Sequence, residues 1–369
     1  MQIVVSAQHR AHNTRHSLPG YDSRYDEVPQ RAESILDALC AAGLGAVQEP
    51  QDHGLAPILA VHDAGLISFL RDAFRASRSA LADGTPLFPS GYFAVRGWRR
   101  RPANWQQQAG YYAIDRDSPI LAGTWTAIYW SAQAALTAAG LVRSGQRAAY
   151  ALCRPPGHHA SASQYGGYCY LNNAAIAARY LQDVPPYAGR TTADENRPAR
   201  PETGPSIPQM SRPRVAIVDI DYHHGNGTQE IFYADPTVLY CSLHADPDEE
   251  YPYFWGATDE LGSGAGVGAN RNWPLPAGVD DTTYLAALDE ALAVVAAFQP
   301  AFLVISAGFD LMHGDPVATN GGFAVTPDGL AQIGRRLAGL GLPTVIVQEG
   351  GYQLDRLGEL AVRFLRAFT

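Results

Sequence analysis

The sequence predicts an α/β protein built on a doubly wound, mostly parallel sheet with helices on both faces. Two observations predict it. Short β-branched runs recur that are apolar throughout, the pattern of strands buried on both sides. Longer segments with apolar residues at helical spacing alternate with them, which favours parallel crossover units.

The expected strands are Ile3-Val4-Val5, Ala148 to Leu152, Val215 to Val218, Val238 to Ser242, Phe302 to Ile305 and Val345 to Val347. Helical patterns run from Thr124 to Leu141, Asn173 to Leu181, Tyr284 to Phe298 and Asp328 to Leu340. Ligands of such sheets bind beyond the carboxyl ends of the strands, near a topological switch. His158, Asp221, Asp310 and Tyr352 each follow an expected strand, so one site can collect all four. Two segments break the alternation. Residues 185–213 hold seven prolines and no apolar period, the pattern of a long surface insertion. Residues 81–119 are aromatic and arginine-rich around Trp98-Arg99-Arg100-Arg101, which composition alone would leave as a solvent loop.

At 369 residues, 46% hydrophobic and 17% charged, the chain can bury an enzyme-sized core. Its net charge of −9 argues against nonspecific nucleic-acid binding. Every fixed positive side chain is arginine, since the sequence contains no lysine. No apolar run is long enough for a membrane span. Met1 to Ser6 lacks the features of a secretory signal, so the cytoplasm is the expected location. The four cysteines, Cys40, Cys153, Cys169 and Cys241, are too widely spaced for a metal knuckle and read as small buried hydrophobes.

The chemistry concentrates in two segments. In Asp219-Ile220-Asp221-Tyr222-His223-His224-Gly225-Asn226-Gly227, alternation along an extended chain aims Asp219, Asp221 and His223 to one side. Carboxylates at the end of a buried strand are costly unless paired or bound to a cation, so this cluster reads as a metal site. In Arg154-Pro155-Pro156-Gly157-His158-His159-Ala160, two adjacent imidazoles supply proton-transfer groups with an ordinary pKa near 6.5. Asp310 alone would be read as a helix cap, but its place after a buried strand in Gly308-Phe309-Asp310 favours a ligand.

These segments, together with Ser306-Ala307-Gly308-Phe309-Asp310 and Gln348-Glu349-Gly350-Gly351-Tyr352, resemble the histone deacetylase and acetylpolyamine amidohydrolase superfamily. The similarity is greatest to the bacterial acetylpolyamine amidohydrolases, through Cys153 to His159, Gly166-Gly167-Tyr168-Cys169 and the loop ending in Gly110-Tyr111-Tyr112. The resemblance implies the arginase/deacetylase-like fold and one catalytic domain over residues 1–369. It also implies zinc held by Asp221, His223 and Asp310, the three-ligand arrangement of a catalytic site, although ferrous iron or cobalt would suit the same donors. His159 is implied as general base and acid, with His158 as its electrostatic partner. Asp219 and Asn226 would orient these two rings. Tyr352 would bind the oxyanion, with Gly350-Gly351 leaving its turn loose. Gly167, Tyr168 and Tyr251 would wall an acyl-amine channel. Asp219, Asp221, His223, Ser242 and Leu243 match a potassium site.

The implied reaction is zinc-dependent hydrolysis of N-acetylated amines, acetylpolyamines foremost. An acetyl-lysine peptide or another small N-acyl amine is the alternative substrate. Asp117 stands where an acidic residue helps to recognise polyamine, while the second such position holds Gln106. The 81–119 loop would narrow the channel and help to form a homodimer. An arginase-type bimetallic hydrolase fits less well, because Asp221-Tyr222-His223-His224 lacks a further aspartate. A catalytically silent sensor fits poorly with intact His158, His159 and Tyr352.

Overall fold

The computed structural model describes residues 1–14, 25–78, 81, 85–89, 91–94, 100–182 and 212–369. Residues 82–84, 90 and 95–99 of the 81–119 loop, Trp98 and Arg99 among them, and all but Arg212 and Pro213 at the end of the proline-rich segment therefore lie outside the described residues.

Eight parallel strands form one sheet in the order β2-β1-β3-β8-β7-β4-β5-β6. They are β1 Gln2–Val4, β2 Ala46–Gln48, β3 Ala148–Ala151, β4 Val215–Asp219, β5 Val238–Ala245, β6 Asn270–Leu275, β7 Phe302–Ala307 and β8 Thr344–Gln348. The six expected strands are present, within a residue or two except β5, which runs on to Ala245. Both unexpected strands are edges. β2 is largely exposed, and β6 (Asn-Arg-Asn-Trp-Pro-Leu) has polar residues where an apolar run would give a strand away.

The four expected helices are α5 Thr124–Arg143, α6 Asn173–Leu181, α8 Asp281–Phe298 and α9 Pro327–Gly339. Among the described residues there are six more, beyond those expected from the sequence: α1 Gln30–Ala41, α2 Ala56–Leu59, α3 Ala64–Ser77, α4 Trp105–Tyr112, α7 Asn226–Phe232 and α10 Leu357–Leu365. Strand residues alternate between two apolar layers. Val218, Leu239, Ile305 and Ile346 join the layer covered by α1, α8, α9 and α10. Ile217, Tyr240, Val304 and Val345 join the layer covered by α3, α4, α5 and α6. Burying each such side chain contributes about 1.5–3 kcal/mol, so both faces help to hold the sheet. Among the described residues, no helix is long and apolar enough to cross a membrane.

The chain leaves β3 and re-enters at β4, passing over the places later taken by β7 and β8. The four segments that follow β3, β8, β7 and β4 thus emerge side by side at one end of the sheet. Alternation predicted the direction of Asp221 and His223, yet β4 ends at Asp219. Both residues lie in the connection beyond it, which Ile220 and Tyr222 anchor through bonds to Ser306 and Ala245 (3.0 and 2.8 Å).

Candidate active site

Asp221, His223 and Asp310 are all buried, and one donor atom from each lies within 4.8 Å of the others. The space is kept open by glycines. A methyl at Gly308 would collide with the Asp221 carboxylate, and one at Gly350 with that of Asp310. His223 Nδ1 faces Asp310 Oδ2 at 3.2 Å and Asp221 Oδ1 at 3.4 Å. Burial disfavours a charged His223, but bonds to Asp221 and Asp310 outweigh it and raise its pKa well above the ordinary value. Burial and the neighbouring Asp221 raise Asp310. Burial would also raise Asp221, yet His158 and His223 hold it below the usual carboxylate range. Two carboxylate oxygens and an imidazole nitrogen, sharing a strongly negative field, fit a divalent cation such as zinc.

The adjacent histidines have opposite surroundings. His158 Nδ1 lies 3.1 Å from Asp219 Oδ2, and its Nε2 lies 3.7 Å from Asp221 Oδ1. Burial opposes its charge, but these two aspartates raise it to about 10. His159 Nδ1 lies 2.8 Å from Asn226 Oδ1. Burial, with positive potential from His158 and His223, lowers His159 well below the ordinary range. An amide oxygen only accepts, so Nδ1 of His159 carries the hydrogen and Nε2 keeps a free lone pair. Asp219 also accepts from the Tyr240 hydroxyl (2.9 Å), and burial raises its pKa.

Tyr352 follows Gly351, whose φ is +113°. The turn is pinned rather than loose. Arg31 donates to the carbonyls of Gly351 and Glu349 (2.6 Å each) and stacks 4.3 Å from the Tyr352 ring centre. The Tyr352 N–H donates to Asp315 Oδ2 at 2.8 Å. Burial raises the Tyr352 hydroxyl well above its usual pKa and keeps it a donor.

Half-buried Gly167, Tyr168 and Tyr251 flank this floor. The Tyr251 ring meets His159 edge-on at 4.9 Å, and the Tyr168 ring lies 5.8 Å from that of Tyr352. Tyr25 backs Tyr168 at 4.9 Å and donates to the Asp117 carbonyl at 2.7 Å. Asp117 is exposed near this wall. Gln106 is exposed on α4. Ser242 stands opposite Asp219 across the β4–β5 ladder, with Leu243 next to it, so the expected potassium residues are neighbours.

Several contributors had no role in the sequence reading. Glu349 Oε2 accepts the N–H groups of Gly157 and His158 (2.6 and 3.1 Å), fixing the histidine pair, and burial raises it to about 7. Its place in the Gln348-to-Tyr352 motif was its only signal. Buried Glu27 binds Arg31 (3.1 Å) and Arg154 (2.8 Å), tying the N-terminal segment to the Tyr352 turn. Asp115 accepts from Gly167 and Tyr251, and nothing in its local sequence singled it out. All four cysteines are free, and three are buried.

The histone deacetylase domain family matches residues 25–187 and 207–368, leaving unmatched only residues 188–206 between the two stretches, inside the expected insertion. Acetylpolyamine amidohydrolase 1 of Pseudomonas aeruginosa is 42% identical over 100% of this chain and 99% of its own length. The acetylpolyamine amidohydrolase of Mycoplana ramosa is 37% identical over 97% of this chain and 96% of its own. A crystal structure of acetylpolyamine aminohydrolase from Burkholderia pseudomallei superposes with a TM-score of 0.86 at 39% identity, covering 100% of this chain and 98% of that one. On sequence, fold and the placement of its motifs, the chain belongs to the histone deacetylase family.

Proposed function

We propose that the chain hydrolyses the amide of small N-acetylated amines, acetylpolyamines foremost, releasing acetate and the free amine. The observation that carries this reading is the buried Asp221, His223 and Asp310 cluster beside two histidines of opposite polarity. The names of the full-length relatives support the substrate class.

Asp221, His223 and Asp310 would hold zinc, which when bound polarises an acyl carbonyl and brings the pKa of water toward about 7. His159 Nε2 takes a proton from the attacking water and later delivers one to the leaving amine. Asn226 fixes the tautomer that makes this work. His158, kept charged between Asp219 and Asp221, stabilises negative charge developing beside it. The Tyr352 hydroxyl donates to the carbonyl oxygen as it becomes an oxyanion, and the pinned turn means that little reorganisation is needed. Tyr168 and Tyr251 pack along the methylene chain of the substrate. Asp117, exposed at this wall, attracts its distal ammonium group.

A potassium ion at Asp219, Asp221, His223, Ser242 and Leu243 belongs to the same reading, as do a homodimer and a cytoplasmic location. Chromatography with in-line light scattering tests the dimer. The uncharged Gln106 favours a second reading, turnover of acetyl-lysine peptides. Rates on acetylputrescine, acetylspermidine and an acetyl-lysine peptide, with zinc content measured, separate the two. No turnover of any acyl amide by fully metallated protein would defeat both.

A further inference from the structure

One carboxylate holds two parts of the channel wall at once. Ile114 N–H donates to Tyr165 (2.9 Å) and Tyr165 N–H to Tyr112 (2.8 Å), so residues 112–114 run beside the segment that leads into Gly166-Gly167. This pairing brings the half-buried Asp115 against the wall. Its Oδ2 accepts the Gly167 N–H at 2.8 Å and the Tyr251 hydroxyl at 2.7 Å. Its Oδ1 accepts the Asp117 N–H at 2.9 Å. The glycines make this approach feasible. A methyl on Gly166 would lie 2.7 Å from Asp115 Oδ2, and one on Gly167, where φ is +56°, would lie 2.9 Å from the Tyr251 hydroxyl.

Among the described residues, the Tyr251 ring has no comparable anchor; its other ring contacts are His159, His223 and Tyr253. It is half-buried, its edge contacts with His159 and His223 (4.9 and 6.2 Å) are weak, and the next aromatics, Tyr253 and Phe254, are exposed. A hydrogen bond to a charged acceptor is worth more than such ring contacts. The position of Tyr251 over the proton-transfer histidine therefore depends on Asp115.

We propose that Asp115 is a positioning residue for substrate selection, fixing the width of the channel above His159 by holding Gly167 and Tyr251 on a single oxygen. The role rests on the deacetylase reading above and adds to it the residue that sets how slender the acyl amine must be. Asp115 touches no substrate and acts through Tyr251.

The test is a cycle of Asp115→Asn, Tyr251→Phe and the double variant, with kcat and KM measured on acetylspermidine and on an acetyl-lysine peptide. Asparagine keeps the shape but cannot accept all three donors. Each single variant should lower the kcat/KM ratio of acetylspermidine to peptide by roughly tenfold, mainly through KM. The double variant should be no worse than either single one, because both remove the same contact. Tyr251→Phe deletes only a hydroxyl, so it carries the kinetic test if Asp115→Asn folds poorly. Crystal structures of the variants give a readout that needs no turnover: the Tyr251 ring should leave the edge of His159. An unmoved ring, an unchanged substrate ratio, or fully additive losses would overturn the proposal. Wild-type inactivity on every acyl amide would instead sink the deacetylase reading and leave the ring displacement to decide this one.

Discussion

Asp219, Asp221, Asp310 and Glu349 at the floor of the site are fully buried, and each is held by backbone donors, histidines or both. Asp115 and Asp117 at the wall sit on an irregular segment; the Asp115 carboxylate accepts from Gly167 and Tyr251 on other loops and from Asp117 N–H beside it, while Asp117 accepts from Tyr25 only through its backbone carbonyl. The floor grows from the ends of four adjacent strands, whereas the wall is assembled from loops joined by one short backbone pairing, residues 112–114 with Tyr165, and by side-chain hydrogen bonds. Strand ends move little, so the floor is preorganised by the sheet itself. The wall depends on a few hydrogen bonds in partly wet surroundings. Damage to the floor should therefore abolish chemistry, and damage to the wall should redistribute substrates.

The largest effect tests the floor. Asp310→Ala should lose most bound zinc and at least about 10³-fold of the activity; full metal occupancy by elemental analysis would defeat the ligand assignment. His159→Ala should reduce turnover by about 10²–10⁴-fold while zinc stays bound. Tyr352→Phe keeps the ring under Arg31 and removes only the donor, for a loss on the order of 10²–10³-fold. Near-normal turnover in either variant, with chemistry rate-limiting, would contradict its role.

Effects at the wall are smaller. Asp117→Ala should erode the preference for cationic acetylpolyamines by about 2- to 5-fold, less at high salt, as expected for an exposed charge pair. Equal loss on a neutral acetylated amine would show that charge is not the cause.

The smallest effect concerns pH. Burial and the neighbouring Asp117 raise Asp115 from 3.8 to about 6. The hydroxyls of Tyr251, Tyr165 and Tyr168 also face it, and they stay neutral in this range. Between those two values the folded chain keeps a proton that the unfolded chain has released, so Asp115 lowers stability as pH rises through the window. Asp115→Asn lacks this slope and should gain stability relative to wild type as pH rises from about 4 to about 6. Paired unfolding curves measure it, and parallel pH dependences would refute it.

The same division explains what could be read before the structure was known. Strand ends carry dense local patterns, so Asp221, His223, Asp310, the histidine pair and Tyr352 could be placed from the sequence, as could the six inner strands. β2 and β6 were missed because edge strands need no apolar run. α10 was missed despite buried Leu357, Leu360, Ala361, Phe364 and Leu365 at helical spacing, a pattern that would have predicted it. Asp115 was a different problem. Both it and Asp117 are aspartates two residues apart, and only the pairing of residues 112–114 with Tyr165 decides which one lies under Gly167.

The strand order also has a consequence for how the protein is made. β7 and β8 are synthesised last but belong between β3 and β4. Until they arrive, the nascent chain has two partial sheets, β2-β1-β3 and β4-β5-β6, each with an apolar edge that has no neighbour. Such edges invite pairing with other chains. A chain released before Phe302 would lack both strands and would be inactive and prone to aggregate, and the last two strands remove both faults together.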